Sequence, residues 1–278
     1  MGKTSKSIFR ITTAVSIFCV AAYISYYRLR SIWYPIYARY YTYTVSDRLD
    51  HYGEEARARF LPHFKKAGVS YPPEELGFLV IKDGFIFELW ARNAGSEDDV
   101  GSSKMKFIKT YPLTAYCGRW GPKMKEGDCQ IPEGIYKISG LNPNSSYHLS
   151  LKIDYPNAFD KEMGKADNRS GLGSLIFIHG KAVTIGCVPI GDEAIEEIFT
   201  IAAETGRENI EVVLSPVDFR KDYKKRQLPA NPEWVSELYR QIGKKFSILG
   251  GICLGILWSF ILDTPIMAGL FVVVSQIC

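Results

Sequence analysis

The period of the hydrophobic positions changes several times along this chain, and the changes divide it. From Ser46 to Lys66 apolar residues are sparse. Leu49, Phe60, Leu61 and Phe64 stand in a polar background, which predicts a largely solvated helix that Pro62 kinks or restarts. Tyr71-Pro72-Pro73 closes that segment. Two β-rich runs, Leu76–Ile81 and Phe85–Ala91, then flank Lys82-Asp83-Gly84, and Asp-Gly between such runs predicts a hairpin. Asn93 to Ser103 is a polar loop. Lys104–Tyr116, Gly134–Gly140 and His148–Ile153 read as further strands, and Ile210–Leu214 as the last. Pro232 to Ile242 reads as a short helix.

The stretch from Leu175 to Phe199 organises the rest. Leu175 to Ile178 is a short β-branched run of the kind a buried strand carries, and it ends at His179. Gly180 permits a sharp turn. Asp192 opens a helix as its expected N-cap, with Ile195, Ile198, Phe199 and Ala202 on one face. Many strands with one late helix predict a mainly β or α+β fold rather than a doubly wound sheet.

Both ends are apolar. Ile11 to Tyr27 is uncharged, lies between Arg10 and Arg28, and is followed by Trp33, Tyr34, Tyr37, Tyr40, Tyr41 and Tyr43, the residue types that collect at a membrane–water interface. A retained anchor is the preferred reading and a cleaved signal peptide the alternative. Phe246 to Cys278 has one charged residue, Asp263, and reads as a membrane segment of open topology. The domains expected are an anchor with its aromatic flank at 1–45, a helical linker at 46–73, a catalytic domain at 74–220, a basic and helical linker at 221–245, and the hydrophobic end at 246–278.

Charge sharpens this picture. The chain has 34 Lys and Arg against 30 Asp and Glu. Six of the basic residues and none of the acidic ones precede Asp47, so the remainder is slightly acidic. The basic end suits membrane phosphates. No basic and aromatic nucleic-acid module follows it, and nucleic acid is not an expected partner.

The candidate chemistry lies between the strand and the helix, where His179 and Cys187 stand eight positions apart. A thiolate is the reactive form of cysteine, and a neighbouring histidine can take its proton. Gly186, just before the cysteine, leaves room for a substrate carbonyl, and backbone N–H groups there are candidates for an oxyanion hole. The competing reading of these residues is a small buried hydrophobe and an ordinary core or surface histidine. A zinc site from His148, His179 and Cys187 matches none of the common ligand spacings, so no metal and no cofactor is expected. Cys117 and Cys129 flank a Gly-Arg-Trp-Gly-Pro loop and can pair in an oxidising compartment, although spacing alone does not decide it.

Several motifs in order carry a resemblance. They are Gly121-Pro122-Lys123-Met124-Lys125-Glu126-Gly127-Asp128, Ile131-Pro132-Glu133-Gly134-Ile135-Tyr136, Asn142-Pro143-Asn144-Ser145, Tyr147-His148-Leu149-Ser150-Leu151, Asp154-Tyr155-Pro156-Asn157-Ala158, His179-Gly180 and Gly186-Cys187 before the 192–198 helix. Together they resemble the L,D-transpeptidase catalytic domain, or YkuD domain, and within it the YafK-like murein branch, over about residues 65–214. The resemblance implies a β-rich sandwich-like fold. It implies Cys187 as nucleophile, His179 as its base and Gly186 as part of the catalytic loop. It places His148, Tyr147, Asn144, Tyr155, Asn157 and Gly180 as substrate-groove candidates, for which turn formation and strand packing are the alternative roles. It further implies peptidoglycan stem peptides as substrate, a wall-attached lipoprotein and membrane lipid as further partners, and a domain on the periplasmic or wall side of the cytoplasmic membrane. Many family members carry arginine two positions after the cysteine, where this chain has Pro189. Three functions follow as expectations. The first is a membrane-anchored transpeptidase working through a Cys187 thioester. The second is a hydrolase of the same fold that cuts cross-links or lipoprotein links. The third is an inactive wall-binding module.

Overall fold

Leu76, Phe78 and Val80 are buried on one side of a strand whose Leu79 and Ile81 are buried on the other, which is why this run is apolar at nearly every position. That strand, β1 (Glu75–Ile81), lies inside an eight-stranded sheet. The computed structural model describes residues 12, 13, 15–26, 29, 42–93, 104–221, 223 and 226–250. The chain divides into two compact units, 1–44 and 45–278.

In the second unit, helix α1 (Val45–Ala67) precedes β1. The strands β2 (Ile86–Arg92), β3 (Lys106–Pro112), β4 (Gly134–Asn142) and β5 (Ser150–Ile153) follow. Next come α2 (Ala158–Ala166), β6 (Phe177–His179), β7 (Val188–Pro189), α3 (Asp192–Thr205), β8 (Ile210–Ser215) and α4 (Trp234–Gly250). The sheet order is β3-β2-β1-β8-β4-β5-β6-β7. Neighbours are antiparallel except β1 with β8 and β6 with β7. The sheet curls so far that its two ends meet: Thr114 N, just past β3, donates to Pro189 O on β7 at 3.0 Å.

Each face of the sheet has its own cover. On one, Ala56, Phe60 and Phe64 of α1 and Ile195, Ile198, Phe199 and Ala202 of α3 join the residues 76, 78 and 80 set. On the other, Val235, Leu238, Tyr239, Ile242 and Phe246 of α4 cover Leu79, Ile81 and Val213. Ion pairs lace α1 and β3 to α3. Arg59 meets Glu196 at 2.8 Å and Glu197 at 3.1 Å, Lys109 meets Glu197 at 2.8 Å, and Arg57 pairs with Glu204.

Several expectations need correction. The architecture is mixed, so of the two fold classes expected the α+β one holds and the mainly β one does not. Helix α1 runs through Pro62 without a break and packs into the core, and residues 234–246, read as linker and hydrophobic end, cover a face of the sheet. Helix α2 was not foreseen. Its signal is a capping box in which Asn157 accepts from Asp160 N and Asp160 accepts from Asn157 N. Strand β5 starts at Ser150 because His148 has φ +73°, and β6 starts at Phe177 because Leu175 has φ +58°, and both angles lie outside the strand region. Asp192 is the first residue of α3, and the N-cap is Gly191.

In the first unit residues 15–26 are helical, with Val15, Ile17, Phe18 and Val20 exposed. Among the described residues no helix is long and apolar enough to cross a membrane. Residues 11, 14 and 27 of the expected N-terminal span and residues 251–278 of the C-terminal segment lie outside the described residues.

One buried ion pair anchors the loop between β3 and β4. Lys82, at the end of β1, meets Glu133 at 2.7 Å with both side chains fully inaccessible. Glu133 also accepts from Gly121 N at 2.8 Å and Tyr239 OH at 2.7 Å. Burial holds the Lys82 amine below its usual value, and the Glu133 carboxylate opposes that shift.

Candidate active site

His179 ends β6, and Cys187 immediately precedes the neighbouring strand β7. Parallel pairing sets Ile178 against Val188 and His179 against Pro189, so Cys187 stands one step before the first pair. His179 is 2% exposed, and its Nδ1 lies 2.6 Å from Gly180 O. A carbonyl only accepts, so Nδ1 carries the proton and Nε2 holds the free lone pair. Burial lowers the His179 pKa below the ordinary histidine value, with the Gly180 carbonyl opposing. The Tyr147 ring lies 4.7 Å from the imidazole.

Gly180 cannot carry a side chain. A Cβ there would lie 2.8 Å from Tyr147 O and 3.0 Å from His148 Cβ. The turn after it is fixed by Lys181 N donating to Asp192 Oδ1 at 2.7 Å and Thr114 Oγ1 donating to Lys181 O at 2.6 Å. Val183 and Ile185 are exposed on the loop, Ile185 at 81%. Thr184 closes it, since its Oγ1 donates to Cys187 O at 2.8 Å and accepts from Gly186 N at 3.0 Å. The Gly186 N–H is therefore occupied within the loop, against the expectation that it faces a substrate oxyanion.

Cys187 is a free, half-buried thiol whose Sγ lies 3.7 Å from Leu175 O. Burial pushes the thiol pKa up, while the Phe177 backbone and the positive charge of Lys123 pull it down. An imidazole with its Nε2 lone pair free, on the strand that pairs with the residue after Cys187, is a group that can take a thiol proton for attack on a carbonyl. Cys117 and Cys129 form a disulfide with Cα atoms 5.5 Å apart.

Of the groove candidates, Tyr147 and Gly180 lie at His179. The others hold structure. His148 Nε2 is 2.8 Å from Glu196 Oε1, and its ring meets Tyr52 edge-on at 5.0 Å. Tyr155 is buried and donates to Leu172 O at 2.8 Å. Asn157 caps α2 and donates to Ile135 O at 2.9 Å. Asn144 is an exposed turn residue whose N–H donates to Asn142 Oδ1. Sequence reading missed Leu175, Thr184, Lys123 and Gln130, which surround the cysteine loop. Thr184, three positions before Cys187, was the most legible of them, because short hydroxyl side chains bond to nearby backbone in turns.

Residues 103–217 match the family model of the L,D-transpeptidase catalytic domain, YkuD. That stretch, less than half of the chain, is similar to a YkuD domain. Over 116 residues it is 34% identical to YafK of Escherichia coli (strain K12), covering 40% of this chain and 45% of YafK. The chain thus spans less than half the length of that curated relative. Among solved structures, the helical cell shape determining protein Pgp2 from Campylobacter jejuni aligns at 20% identity with a TM-score of 0.41, over 54% of this chain and 50% of Pgp2. The L,D-transpeptidase 1 of Mycobacterium tuberculosis aligns at 11% identity with a TM-score of 0.28, over 51% of this chain and 62% of that one. His179, Cys187 and the disulfide all fall inside the matched residues.

Proposed function

We propose that this chain is a cysteine acyltransferase of the L,D-transpeptidase type acting on peptidoglycan stem peptides. The observation that carries the reading is the His179 Nδ1 contact with Gly180 O, which leaves Nε2 as a base on the strand beside Cys187. YafK, named as an L,D-transpeptidase, supports the substrate class.

The reaction runs in two halves. His179 Nε2 takes the Sγ proton as Cys187 attacks the amide carbon of the donor peptide. The tetrahedral intermediate collapses, the C–N bond breaks, and the leaving amine takes the proton from His179. An acceptor amine then attacks the thioester, loses its proton to Nε2 and releases Cys187 as the thiol. With Gly186 N–H occupied, the Cys187 N–H is the candidate oxyanion donor. If water replaces the acceptor amine, the same site is a hydrolase of cross-links or lipoprotein links. Pro189, buried in β7, stands where many family members carry arginine, so donor-peptide recognition here must rest on other side chains. The inactive binding module is disfavoured by an intact histidine and thiol.

Residues 1–45 serve as a membrane anchor in this reading, and the YkuD domain faces the periplasm or wall. Incubation with defined wall peptides, then peptide mapping, tests the chemistry. An acyl group on Cys187 and no turnover in Cys187→Ala are expected. Full activity in that variant sinks the thioester mechanism. A linear cross-linked product indicates transfer, and a shortened peptide indicates hydrolysis.

A further inference from the structure

The loop ahead of β4 is wound around one carboxylate. Asp128 accepts from Met124 N at 2.8 Å, Lys125 N at 3.0 Å and Gln130 N at 3.0 Å, and also from Lys123 Nζ. Burial alone would raise its pKa, yet these four donors hold it below the ordinary carboxylate value. So much hydrogen bonding on a single side chain fixes the path of residues 123–130.

Gln130 is the residue this arrangement controls most closely. Its N–H goes to Asp128, its Oε1 accepts from Arg119 N at 2.7 Å, and the residue before it is tied to Cys117 by the disulfide. Its carbonyl oxygen rests against Gly186. A Cβ at Gly186 would lie 2.9 Å from that oxygen, and Gly186 has φ +134°. The backbone immediately before the thiol is therefore seated on a carbonyl whose place Asp128 sets.

The same turn braces the other wall of the site. Glu126 N donates to Gly171 O at 2.8 Å, and Arg169 Nη1 donates to Met124 O at 2.9 Å. A Cβ on Gly173 would lie 3.3 Å from both Glu126 Cα and Lys123 Cε. That segment leads directly to Leu175, whose carbonyl lies beside the Cys187 Sγ.

We propose that Asp128 is a positioning residue for the Cys187 nucleophile, acting through the Gln130 carbonyl on Gly186 and through the 171–175 segment on the thiol. The proposal rests on the assignment of Cys187 as nucleophile. Asp128 touches no reacting atom. It holds the two carbonyls between which the cysteine loop sits, and attack on an amide depends steeply on that placement.

Asp128→Asn in the full chain tests it. The amide is nearly isosteric, but it offers one acceptor oxygen instead of two and leaves Lys123 without a counter-charge. With wall peptides, kcat is expected to fall roughly tenfold or more with KM within about twofold, the pattern of lost transition-state geometry. Alkylation of Cys187 by iodoacetamide, followed by peptide mapping, supplies the readout that a purely structural role would leave alone. A loosened thiol is better solvated and lies near an unneutralised Lys123, and both effects favour the thiolate, so the alkylation midpoint moves down by about half a pH unit or more. A folded variant with wild-type kcat and alkylation midpoint overturns the proposal. If Asp128→Asn does not fold, Asp128→Glu decides, because it keeps a counter-charge for Lys123 while its longer side chain displaces the carboxylate from the Met124, Lys125 and Gln130 N–H groups. A several-fold loss of kcat at constant KM supports the proposal, and wild-type kcat overturns it. Turnover retained in Cys187→Ala would instead defeat the nucleophile assignment, a separate outcome from either result at Asp128.

Discussion

The Tyr147 ring lies 4.7 Å from the His179 ring at an interplanar angle of 38°, and the Tyr147 carbonyl accepts from Gly180 N at 3.1 Å. One residue therefore touches the proposed base through its side chain and the following glycine through its backbone. At 45% exposure, Tyr147 is also the outer cover of the imidazole. An aromatic contact of this kind is worth about 1 kcal/mol beyond area burial. Tyr147→Phe keeps it, and kcat/KM is expected to stay near wild type. Tyr147→Ala loses it, and kcat should fall by about fivefold, which is that energy expressed as a rate. Steady-state kinetics of the two variants on wall peptides checks the difference.

His179 sets an acid-side dependence. Burial lowers its pKa in the folded state, so the unfolded state binds the proton more readily. The associated stability is fully present above the unfolded histidine value of about 6.5 and is lost as pH falls through the lower folded value. Thermal melts of His179→Gln should accordingly fall less steeply than wild type on the acid side. The kcat/KM profile of the wild type should lose its acid limb below the ordinary histidine range. A limb at or above that range would show that the base is not buried His179.

Cys187 behaves with the opposite sign. Its pKa is raised by burial, so the associated stability is present below the unfolded thiol value of about 8.5 and is lost as pH rises through the folded one. In Cys187→Ala, stability measured by urea denaturation should decline less than wild type on the alkaline side. An unchanged alkaline slope would place the thiol in water.

The disulfide closes a loop of sequence separation 12. Removing it in Cys117→Ser/Cys129→Ser should cost about 3 kcal/mol through the freedom returned to the unfolded chain. Denaturant midpoints measure that loss. Because Gln130 follows Cys129, slower turnover should accompany it.

Lys82 and Glu133 answer to a different rule. Lys82→Met leaves a buried carboxylate without its cation and should cost roughly 3–5 kcal/mol. Adding Glu133→Gln removes the stranded charge and should recover part of the loss. Urea denaturation of both single variants and the double variant checks this, and strictly additive losses would mean that the pair is not coupled.

Much of the sheet was legible because its strands carry their own period. Asp83-Gly84 gave the hairpin, and the unbroken apolar run at Leu76–Ile81 is explained by a strand covered on both faces. The helix beginning at Asp192 was legible from its spaced isoleucines. What escaped notice was set by contacts distant in sequence. The sparse apolar pattern of α1 looked solvated, since its polar side chains are satisfied by Glu196, Glu197 and Glu204 on another helix. Asn157 and Tyr155 sit in a motif shared with the family and still serve as a cap and a buried donor. His179 and Cys187 were readable as a pair, whereas Gln130 lies at Gly186 only because the sheet curls.

The parallel pairing of β1 with β8 gives this molecule a schedule. β8 fills the gap between β1 and β4, aligning Leu76 with Ile210 and Gly134 with Leu214, yet it is the last of this sheet's strands to leave the ribosome. Until then two apolar strand edges stand open, and pairing so distant in sequence is slow to form. Cys187 is already made during that interval, alongside Cys117 and Cys129. Wherever thiols oxidise, the chain must join the two partners twelve residues apart before the third finds either of them, since loop closure favours the shorter span. The separation of 12 acts as a kinetic guard on the thiol. Lengthening that loop should raise the yield of mispaired Cys187 even if the finished domain tolerates the insertion.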